Sequence, residues 1–235
     1  IIGEDTTYPD RSPLRPKEAQ MLVGERMSHP VITIPPDMPI VDALNLMKRE
    51  RIRRTPVVKD GKLIGIISDK DLLNATPSQA TSLSVWEMNY LLSKVLVKDV
   101  MAKKVITVDE NTAIEVAARI MTDNKIGGLP VMRNEQLVGI ITETDLFKVF
   151  LEFMGARDPG IRVTALMHEE RGQLARLTKA ISEAGGNFIA IGQFQGEDPS
   201  NRTVTFKVTG LDESQVRQLT EPLVEEIIDI RNHID

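Results

Sequence analysis

A 46-residue stretch of this chain occurs twice, and this repeat constrains the fold more than any other feature. Residues 27–72 align without a gap with residues 101–146, at a constant offset of 74 positions, and 16 of the 46 paired positions are identical. Two copies are too few for a solenoid, which needs about three stacked units. The repeat therefore predicts two similar half-modules packed about a pseudo-twofold axis, with related clefts between them.

Composition and charge narrow the class of protein. Hydrophobic residues make up 41% of the 235, and a net charge of −5 argues against bulk electrostatic binding to nucleic acid or anionic membrane. The sequence has no cysteine, which excludes disulfides, thiolate metal sites and cysteine nucleophiles. No apolar run approaches the ~18 residues of a membrane helix. We expect a cytoplasmic protein without a nucleic-acid or membrane partner, in which residues 1–20 are a flexible arm or an expression remnant.

Hydrophobic spacing predicts the same order of elements, β-α-β-β-α, in each copy. The first copy predicts a strand over 31–34, a helix from Ile40, strands over 55–58 and 63–67, and a helix from Asp69. The second copy predicts strands over 105–108, 129–132 and 137–141, with helices from Ile114 and Glu143. Asp60-Gly61 is a strong signal for a hairpin turn between the paired strands.

The segments outside the repeat add a connecting helix and a C-terminal unit. Ser84 to Glu87 has the pattern of a capping box that opens a helix within residues 77–98. After the glycine- and proline-rich break at 155–160, elements are predicted in the order β-α-β-β-α-β, a ferredoxin-like pattern. The predicted fold class is α+β, with the first copy over 21–76, the second over 99–155 and the C-terminal unit over 160–235.

Each copy closes with a motif of glycine, two hydrophobic residues, Ser or Thr, two further residues and Asp. It lies at Gly65–Asp71 and at Gly139–Asp145. A carboxylate one turn into a helix can accept hydrogen bonds from both vicinal hydroxyls of a ribose, and Ser68 or Thr142 can donate to a ligand oxygen. The glycine can let a ligand approach the backbone. The alternative is a capping box, in which the same side chains satisfy backbone groups of the helix, and the pattern leaves both interpretations open.

The repeat resembles the CBS domain, and the tandem pair resembles a Bateman module. The resemblance rests on Val-Ile-Thr near the start of each copy, on Thr-Pro-Val or Leu-Pro-Val in its second strand, and on the closing motif. It implies clefts that bind adenosine-containing ligands such as AMP, ADP, ATP or S-adenosylmethionine. Asp71 and Asp145 would hold the ribose, with Ser68 and Thr142 beside them. The other residues implied to line the clefts are Thr33, Thr55, Pro56, Thr107, Gly128, Leu129 and Pro130.

A basic run from Lys48 to Arg54 contains five basic residues and one acidic residue. Cations at the C-terminus of a helix explain the first part of this run. Arg53 and Arg54 lead into the strand that the resemblance places at the ligand, where arginine can form charge-assisted bonds to phosphate. The second copy has Gly127 and Gly128 at these positions. We therefore expect unequal clefts, of which the arginine-bearing one prefers phosphorylated ligands.

The C-terminal unit resembles the ACT domain, a small regulatory module that often binds an amino acid. The turn Arg171-Gly172-Gln173-Leu174 matches the Pro-Gly-x-Leu turn of that family except at Arg171. Asn187 matches the polar residue that opens the second strand. The resemblance implies an amino-acid site that includes Gly172, Gln173, Leu174 and Asn187. The alternative is a dimerising ferredoxin-like fold with an empty site.

The sequence has no constellation typical of catalysis or metal binding. His29, His168 and His233 are isolated, and there is no Walker loop and no nucleophile elbow. The order of modules resembles the AcuB-like acetoin-utilisation proteins of bacteria, which implies an allosteric, ligand-sensing homodimer rather than an enzyme. The alternative is a dimeric scaffold whose clefts are empty and whose partner is another protein.

Overall fold

The computed structural model of the protein describes residues 21–75, 93–196 and 199–233. The chain divides into two compact units, one ending at Leu146 and the other beginning at Phe147. The arm expected at the N-terminus lies outside the described residues, and so does most of the expected connecting helix, including its capping box. The domain limits inferred from the sequence therefore stay a prediction.

The first unit contains both copies of the repeat. The short helix α1 (Val23–Arg26) precedes the first copy, whose elements are α2 (Ile40–Arg49), β1 (Arg54–Lys59), β2 (Lys62–Ser68) and α3 (Asp69–Asn74). The short helix α4 (Val97–Val100) precedes the second copy, whose elements are β3 (Val108–Asp109), α5 (Ile114–Asn124), β4 (Gly128–Arg133), β5 (Gln136–Thr142) and α6 (Glu143–Phe153). The helices and hairpins predicted for each copy are confirmed.

The strands predicted over 31–34 and 105–108 are shorter than expected. Only the last residue of each, Ile34 or Val108, pairs with the neighbouring hairpin, and it does so in parallel. In the first copy Pro35 follows at once and has no N–H with which to continue the ladder. In the second copy β3 continues by one residue.

The register of the two hairpins places the Ser or Thr of each closing motif opposite a position that is arginine in the first copy and glycine in the second. Arg54 lies opposite Ser68 across β1 and β2, and Gly128 lies opposite Thr142 across β4 and β5. Ser68 and Thr142 are also the last residues before α3 and α6. Residues 54 and 128 therefore lie beside the starts of the helices that carry the two aspartates.

The short helix that precedes each copy packs against the other copy. In α1 the N–H groups of Val23 and Gly24 donate to carbonyls of the second copy, at 2.8 Å each. In α4 the N–H groups of Val97 and Lys98 donate to carbonyls of the first copy, at 2.9 Å each. An isolated bridge after each helix extends the same crossed pairing. Each copy is therefore completed by the segment that precedes the other copy in the sequence.

The junction between α4 and the first copy has a buried part and an exposed part. Val97 is fully buried in a hydrophobic core with Ile34, Met47 and Leu72 of the first copy. Beside it the Lys98 ammonium donates to Asp37 at 2.7 Å, and this hydrogen bond lowers the pKa of the Asp37 carboxyl. Because exposed ion pairs contribute little to stability, the buried valine stabilises this junction more than the ion pair does.

The second unit has the predicted β-α-β-β-α-β order. After α6 its elements are β6 (Gly160–His168), α7 (Gln173–Glu183), β7 (Asn187–Gln195), β8 (Asn201–Thr209), α8 (Glu213–Thr220) and β9 (Glu226–His233). The four strands form an antiparallel sheet in the order β7-β8-β6-β9, which is the ferredoxin-like arrangement. The last helix ends at Thr220, and a 3₁₀ turn that contains Pro222 follows it.

The core of the second unit lies between its sheet and its two helices. Val163 and Phe206, from the two central strands, are buried with Leu177 of α7 and Val216 of α8. The Phe206 ring packs at a tilt on that of Phe188, with centroids 5.6 Å apart.

Candidate ligand-binding site

The closing motif of the first copy forms a helix cap. The Oγ of Ser68, the N-cap of α3, accepts from the Asp71 N–H at 3.2 Å and donates to Asp71 Oδ2 at 2.6 Å. Asp71 Oδ2 also accepts from the Ser68 N–H at 2.8 Å. Within the described part of the chain, Asp71 Oδ1 has no hydrogen-bond partner. The capping interpretation is confirmed, and it occupies one of the two carboxylate oxygens.

A cavity of about 360 Å³ opens beside Asp71, and residues of both copies line it. The lining residues from the first copy are Arg54, Ile66, Ile67, Ser68, Lys70 and Asp71. Those from the second copy are Ala102, Lys104, Val105, Ile106, Lys125, Ile126, Gly127 and Gly128. The cavity thus combines one carboxylate, an apolar wall and several cationic side chains.

Three lysines make the cavity electrostatically positive. Lys70, Lys104 and Lys125 are exposed, and none of them forms a side-chain ion pair with another described residue. Asp71 is the one carboxylate among the described residues that line the cavity. A cleft with cations on its walls concentrates anions, because its low-dielectric surroundings focus the field. The arrangement therefore suits a negatively charged ligand.

Arg54 reaches from the first copy to the second. Its Nη1 donates to the carbonyl oxygen of Gly127. A Cβ on Gly128 would lie 2.8 Å from Arg54 Cδ, and a Cβ on Gly127 would collide with the guanidinium. The two glycines therefore leave the space that the arginine fills. The sequence interpretation, in which arginine marks one cleft and glycine the other, is wrong at this position because all three residues line the same cavity.

The motif of the second copy repeats two of these hydrogen bonds but is less accessible. Asp145 Oδ2 accepts from the N–H and the hydroxyl of Thr142, at 3.0 and 2.7 Å. Asp145 is only 5% exposed, whereas Asp71 is an exposed residue. A ligand can therefore reach the carboxylate of the first copy more readily than that of the second.

The glycines of the two motifs serve the packing between copies. A Cβ on Gly65 would collide with the Sδ of Met101, and a Cβ on Gly139 would collide with the Sδ of Met27. Each methionine directly follows the short helix that crosses to the other copy. The expectation that these glycines let a ligand approach is therefore wrong, because a methionine side chain occupies the space.

Four of the predicted residues are buried inside the strands. Thr55 and Pro56 lie in β1, and Leu129 and Pro130 lie in β4, all of them buried. The Thr55 hydroxyl donates to a backbone carbonyl. None of the four lines the cavity beside Asp71, and the role in ligand binding that the resemblance implies for them stays a prediction.

Three further predicted residues lie elsewhere on the surface. Thr33, Thr107 and Arg53 are exposed, and none of them lines the cavity beside Asp71. The Arg53 carbonyl accepts from the N–H of Asp69, so its contribution to this region is through the backbone. The structure therefore brings Arg54, Ser68, Asp71 and Gly128 together and leaves these three outside.

Sequence reasoning missed the lysines of the second copy. Lys104 and Lys125 replace Pro30 and Arg51 of the first copy, just before a repeated strand and just after a repeated helix. Lys125 ends α5 in the left-handed conformation, with φ of 53°. Their positions in the repeat were available from the alignment. That they face the motif of the other copy depends on the packing of the two copies.

A second cavity, of about 520 Å³, lies in the second unit at the turn between β6 and α7. Gly172, Gln173 and Leu174 line it, as the resemblance implies, whereas Asn187 does not. Gly172 has φ of 87°, a conformation that favours glycine. The other lining residues are Met167, His168, Glu169, Glu170, Ala175, Thr178 and Gln193.

Several charged groups at this second cavity have partners. His168 Nδ1 lies 2.8 Å from a carboxylate oxygen of Glu225, and the Arg202 Nε donates to Glu169 at 2.5 Å. Among the residues that the structure describes, no three His, Cys, Asp or Glu side chains are grouped so that they could hold a metal ion. None of the described helices has the length and apolar character needed to cross a membrane.

Comparison with known proteins matches the repeat. The family model of the CBS domain matches residues 23–78 and 97–152. A CBS domain-containing protein of Dictyostelium discoideum is 31% identical over 137 residues, which are 57% of this chain and 94% of that protein. MJ1225 of Methanocaldococcus jannaschii is 32% identical over 137 residues, or 55% of this chain, and this chain spans about half (47%) of its length. A solved Vibrio cholerae protein named for acetoin utilization (AcuB) is 29% identical, with a TM-score of 0.49, over 59% of this chain and 96% of that one.

Proposed function

The chain belongs to the CBS-domain family, and from that premise we propose that it is a regulatory protein that senses an adenine nucleotide in the cavity beside Asp71. One observation carries the proposal. A single cavity brings together an exposed aspartate, an apolar wall and three lysines; among the residues that the structure describes, Asp71 Oδ1 has no hydrogen-bond partner and the lysines have no ion-pair partner. These are complementary to a ribose, a base and phosphates, in that order.

The ribose would bind at Asp71. Its Oδ2 is held by the cap of α3, so the orientation of the carboxylate is set before a ligand arrives. The Oδ1 is left to accept from a ribose hydroxyl, and Oδ2 retains acceptor capacity for the second hydroxyl. Cap and ribose site are therefore compatible functions of the same side chain.

The base would pack on the apolar wall. Ile66 of the first copy and Val105, Ile106 and Ile126 of the second copy line the cavity. Ile106 is 37% exposed, so a flat base can still cover apolar surface there. A ligand in this position would contact both copies and so respond to their relative placement.

The phosphates would bind between the lysines. AMP, ADP and ATP carry negative charge that Lys70, Lys104 and Lys125 can neutralise with charge-assisted hydrogen bonds. S-adenosylmethionine carries a cationic sulfonium in place of the phosphate, and the same lysines would repel it. The charge of the cavity therefore favours a nucleotide over S-adenosylmethionine.

Replacement of Lys104 tests the phosphate subsite. Titration calorimetry of Lys104→Ala should give an affinity for AMP about tenfold below that of the wild type, since one charge-assisted bond of about 1.4 kcal/mol is lost. The affinity for adenosine should stay unchanged. The matched control is Lys103→Ala, which removes the neighbouring exposed lysine that does not line the cavity. Equal affinities of the wild type for AMP and adenosine would contradict the phosphate subsite.

The scaffold alternative makes a different prediction in the same titrations. A dimeric scaffold with empty clefts would bind none of AMP, ADP, ATP, adenosine and S-adenosylmethionine. The homodimer and a role in acetoin utilisation stay predictions from the resemblance, and the cytoplasmic location stays a prediction from composition.

The second cavity supports a second proposal, an amino-acid site of the ACT type in the C-terminal unit. The ligand carboxylate would lie near Gly172 and Gln173 at the start of α7, where the helix dipole favours negative charge. In a calorimetric screen of the common amino acids, one should bind, and Gln193→Ala should weaken it about fivefold through loss of one hydrogen bond. Gln195→Ala is the control, because Gln195 lies on the same strand but outside the cavity. A screen in which no amino acid binds would favour the empty ferredoxin-like fold.

A further inference from the structure

One backbone carbonyl connects the ligand cavity with the second motif. The Gly127 carbonyl oxygen accepts from Arg54 Nη1 and also, at 3.2 Å, from the N–H of Glu143. Arg54 lines the cavity beside Asp71, and Glu143 is the first residue of α6, directly after Thr142. The same oxygen is therefore shared by a side chain of the first cavity and by the turn that opens the second motif.

The side chains of Arg54 and Glu143 fill the space above Gly127. A Cβ on Gly127 would collide with the Arg54 guanidinium and would lie 2.5 Å from Glu143 Oε2. The guanidinium and the Glu143 carboxylate thus lie on either side of one point above Gly127, where opposite charges favour each other. A movement of Arg54 changes the surroundings of both Gly127 and Glu143.

The link exists in one direction only. At the equivalent place in the first copy, the Asp69 N–H donates to the Arg53 carbonyl at 2.9 Å, which repeats the backbone bond from Glu143 to Gly127. The residue equivalent to Arg54 is Gly128, which has no side chain to reach across. The two copies therefore share this backbone hydrogen bond but differ in the side chain beside it.

We propose that Arg54 transmits occupancy of the Asp71 cavity to the motif of the second copy. A phosphate in the cavity is an anionic acceptor and competes with the neutral Gly127 carbonyl for the guanidinium, since charge-assisted hydrogen bonds are about twice as strong. When Arg54 turns to the phosphate, the Gly127 carbonyl loses a hydrogen-bond donor and the Glu143 carboxylate loses a neighbouring cation. The start of α6, which carries Asp145, is then held less firmly. The ligand step rests on the proposed function, whereas the link through Arg54 exists without a ligand.

Amide hydrogen exchange of the ligand-free protein tests the link by itself. Arg54→Ala should speed exchange about threefold or more at residues 127–129 and 142–145, because the hydrogen bond between Glu143 and Gly127 opens more often. Gly127→Ala, which displaces the guanidinium by its Cβ, should do the same. Lys62→Ala removes an exposed cation from the start of β2 and should leave both segments unchanged. If residues 142–145 of Arg54→Ala exchanged at the same rate as in the wild type, the proposal would be overturned.

Exchange at saturating AMP tests the transmission. In the wild type, AMP should slow exchange at residues 66–71 and 104–106 and speed it about threefold at 142–145. In Arg54→Ala the slowing should persist and the change at 142–145 should disappear. An AMP response at 142–145 that survives in Arg54→Ala would overturn the proposal, because the ligand would then act at the second motif without Arg54. If AMP leaves residues 66–71 of the wild type unaffected, the proposed function fails, and the ligand-free comparison still decides the link.

Discussion

Asp71→Asn is expected to lower the affinity for AMP about a hundredfold while it leaves the stability of the protein nearly unchanged. The asparagine keeps one side-chain oxygen, which can accept from the Ser68 N–H as Asp71 Oδ2 does. It replaces the other oxygen by an amide donor and removes the charge. Hydrogen bonds from ribose hydroxyls to a charged acceptor are worth about 1.5–3 kcal/mol each, so the loss of about 2.7 kcal/mol corresponds to a factor of one hundred.

Two comparison variants separate binding from capping. Ser68→Ala removes the N-cap side chain but keeps the carboxylate, and should cost about 1 kcal/mol in the free energy of unfolding. Its effect on AMP affinity should be much smaller than that of Asp71→Asn. Asp145→Asn changes the equivalent residue of the second copy, which is buried, and should leave the affinity at the first cavity within about threefold of the wild type.

Calorimetry and denaturant unfolding on the same preparations provide both readouts. An AMP affinity of Asp71→Asn equal to that of the wild type would mean that the carboxylate serves the helix cap alone. A loss of affinity that scales with a loss of stability across the variants would mean that Asp71 acts by holding α3 in place. The ribose interpretation requires the two quantities to move independently.

The sequence was a sufficient guide wherever local chemistry decides the structure. The hairpin at Asp60-Gly61 forms as predicted because that turn sets its own backbone conformation, with φ of 50° and 75° at the two residues. The C-terminal strands and helices follow from hydrophobic periodicity and from glycine and proline breaks. The capping box at Ser68 and Asp71 is likewise local, since all its hydrogen bonds span three residues.

Contacts between the copies could not be read from the pattern. Gly65 looked like a place for a ligand because nothing in the sequence says that Met101 fills the space above it. The sequence assigned Arg54 to one cleft and Gly127 to the other because nothing in it says that the Arg54 side chain meets the Gly127 carbonyl, 73 residues away. Lys104 and Lys125 sit in segments without a distinctive motif. In each case the decisive neighbour comes from the other copy, and a repeat alignment compares equivalent positions rather than touching ones.

The crossed packing of the short helices leads to the second large prediction. Val97→Ala, a change in the segment that precedes the second copy, should destabilise the first copy by about 2 kcal/mol. The side chain is fully buried in the core of the first copy, and its truncation loses transfer free energy and leaves a cavity. Val23→Ala, 74 positions earlier, should destabilise the second copy by a similar amount, since Val23 is fully buried and α1 is bonded to that copy.

Site-resolved amide exchange identifies which copy responds. Val97→Ala should speed exchange in β1 and β2 (residues 54–68), and Val23→Ala should speed it in β4 and β5 (residues 128–142). The control is Val41→Ala on the exposed side of α2, where a valine that is 37% exposed should change stability by less than about 0.5 kcal/mol. If each variant instead weakened the copy that follows it in the sequence, the crossed arrangement would be refuted. Because each copy takes a core residue from the segment before the other, neither repeat is a complete folding unit, and a ligand held by both copies acts on one shared structure.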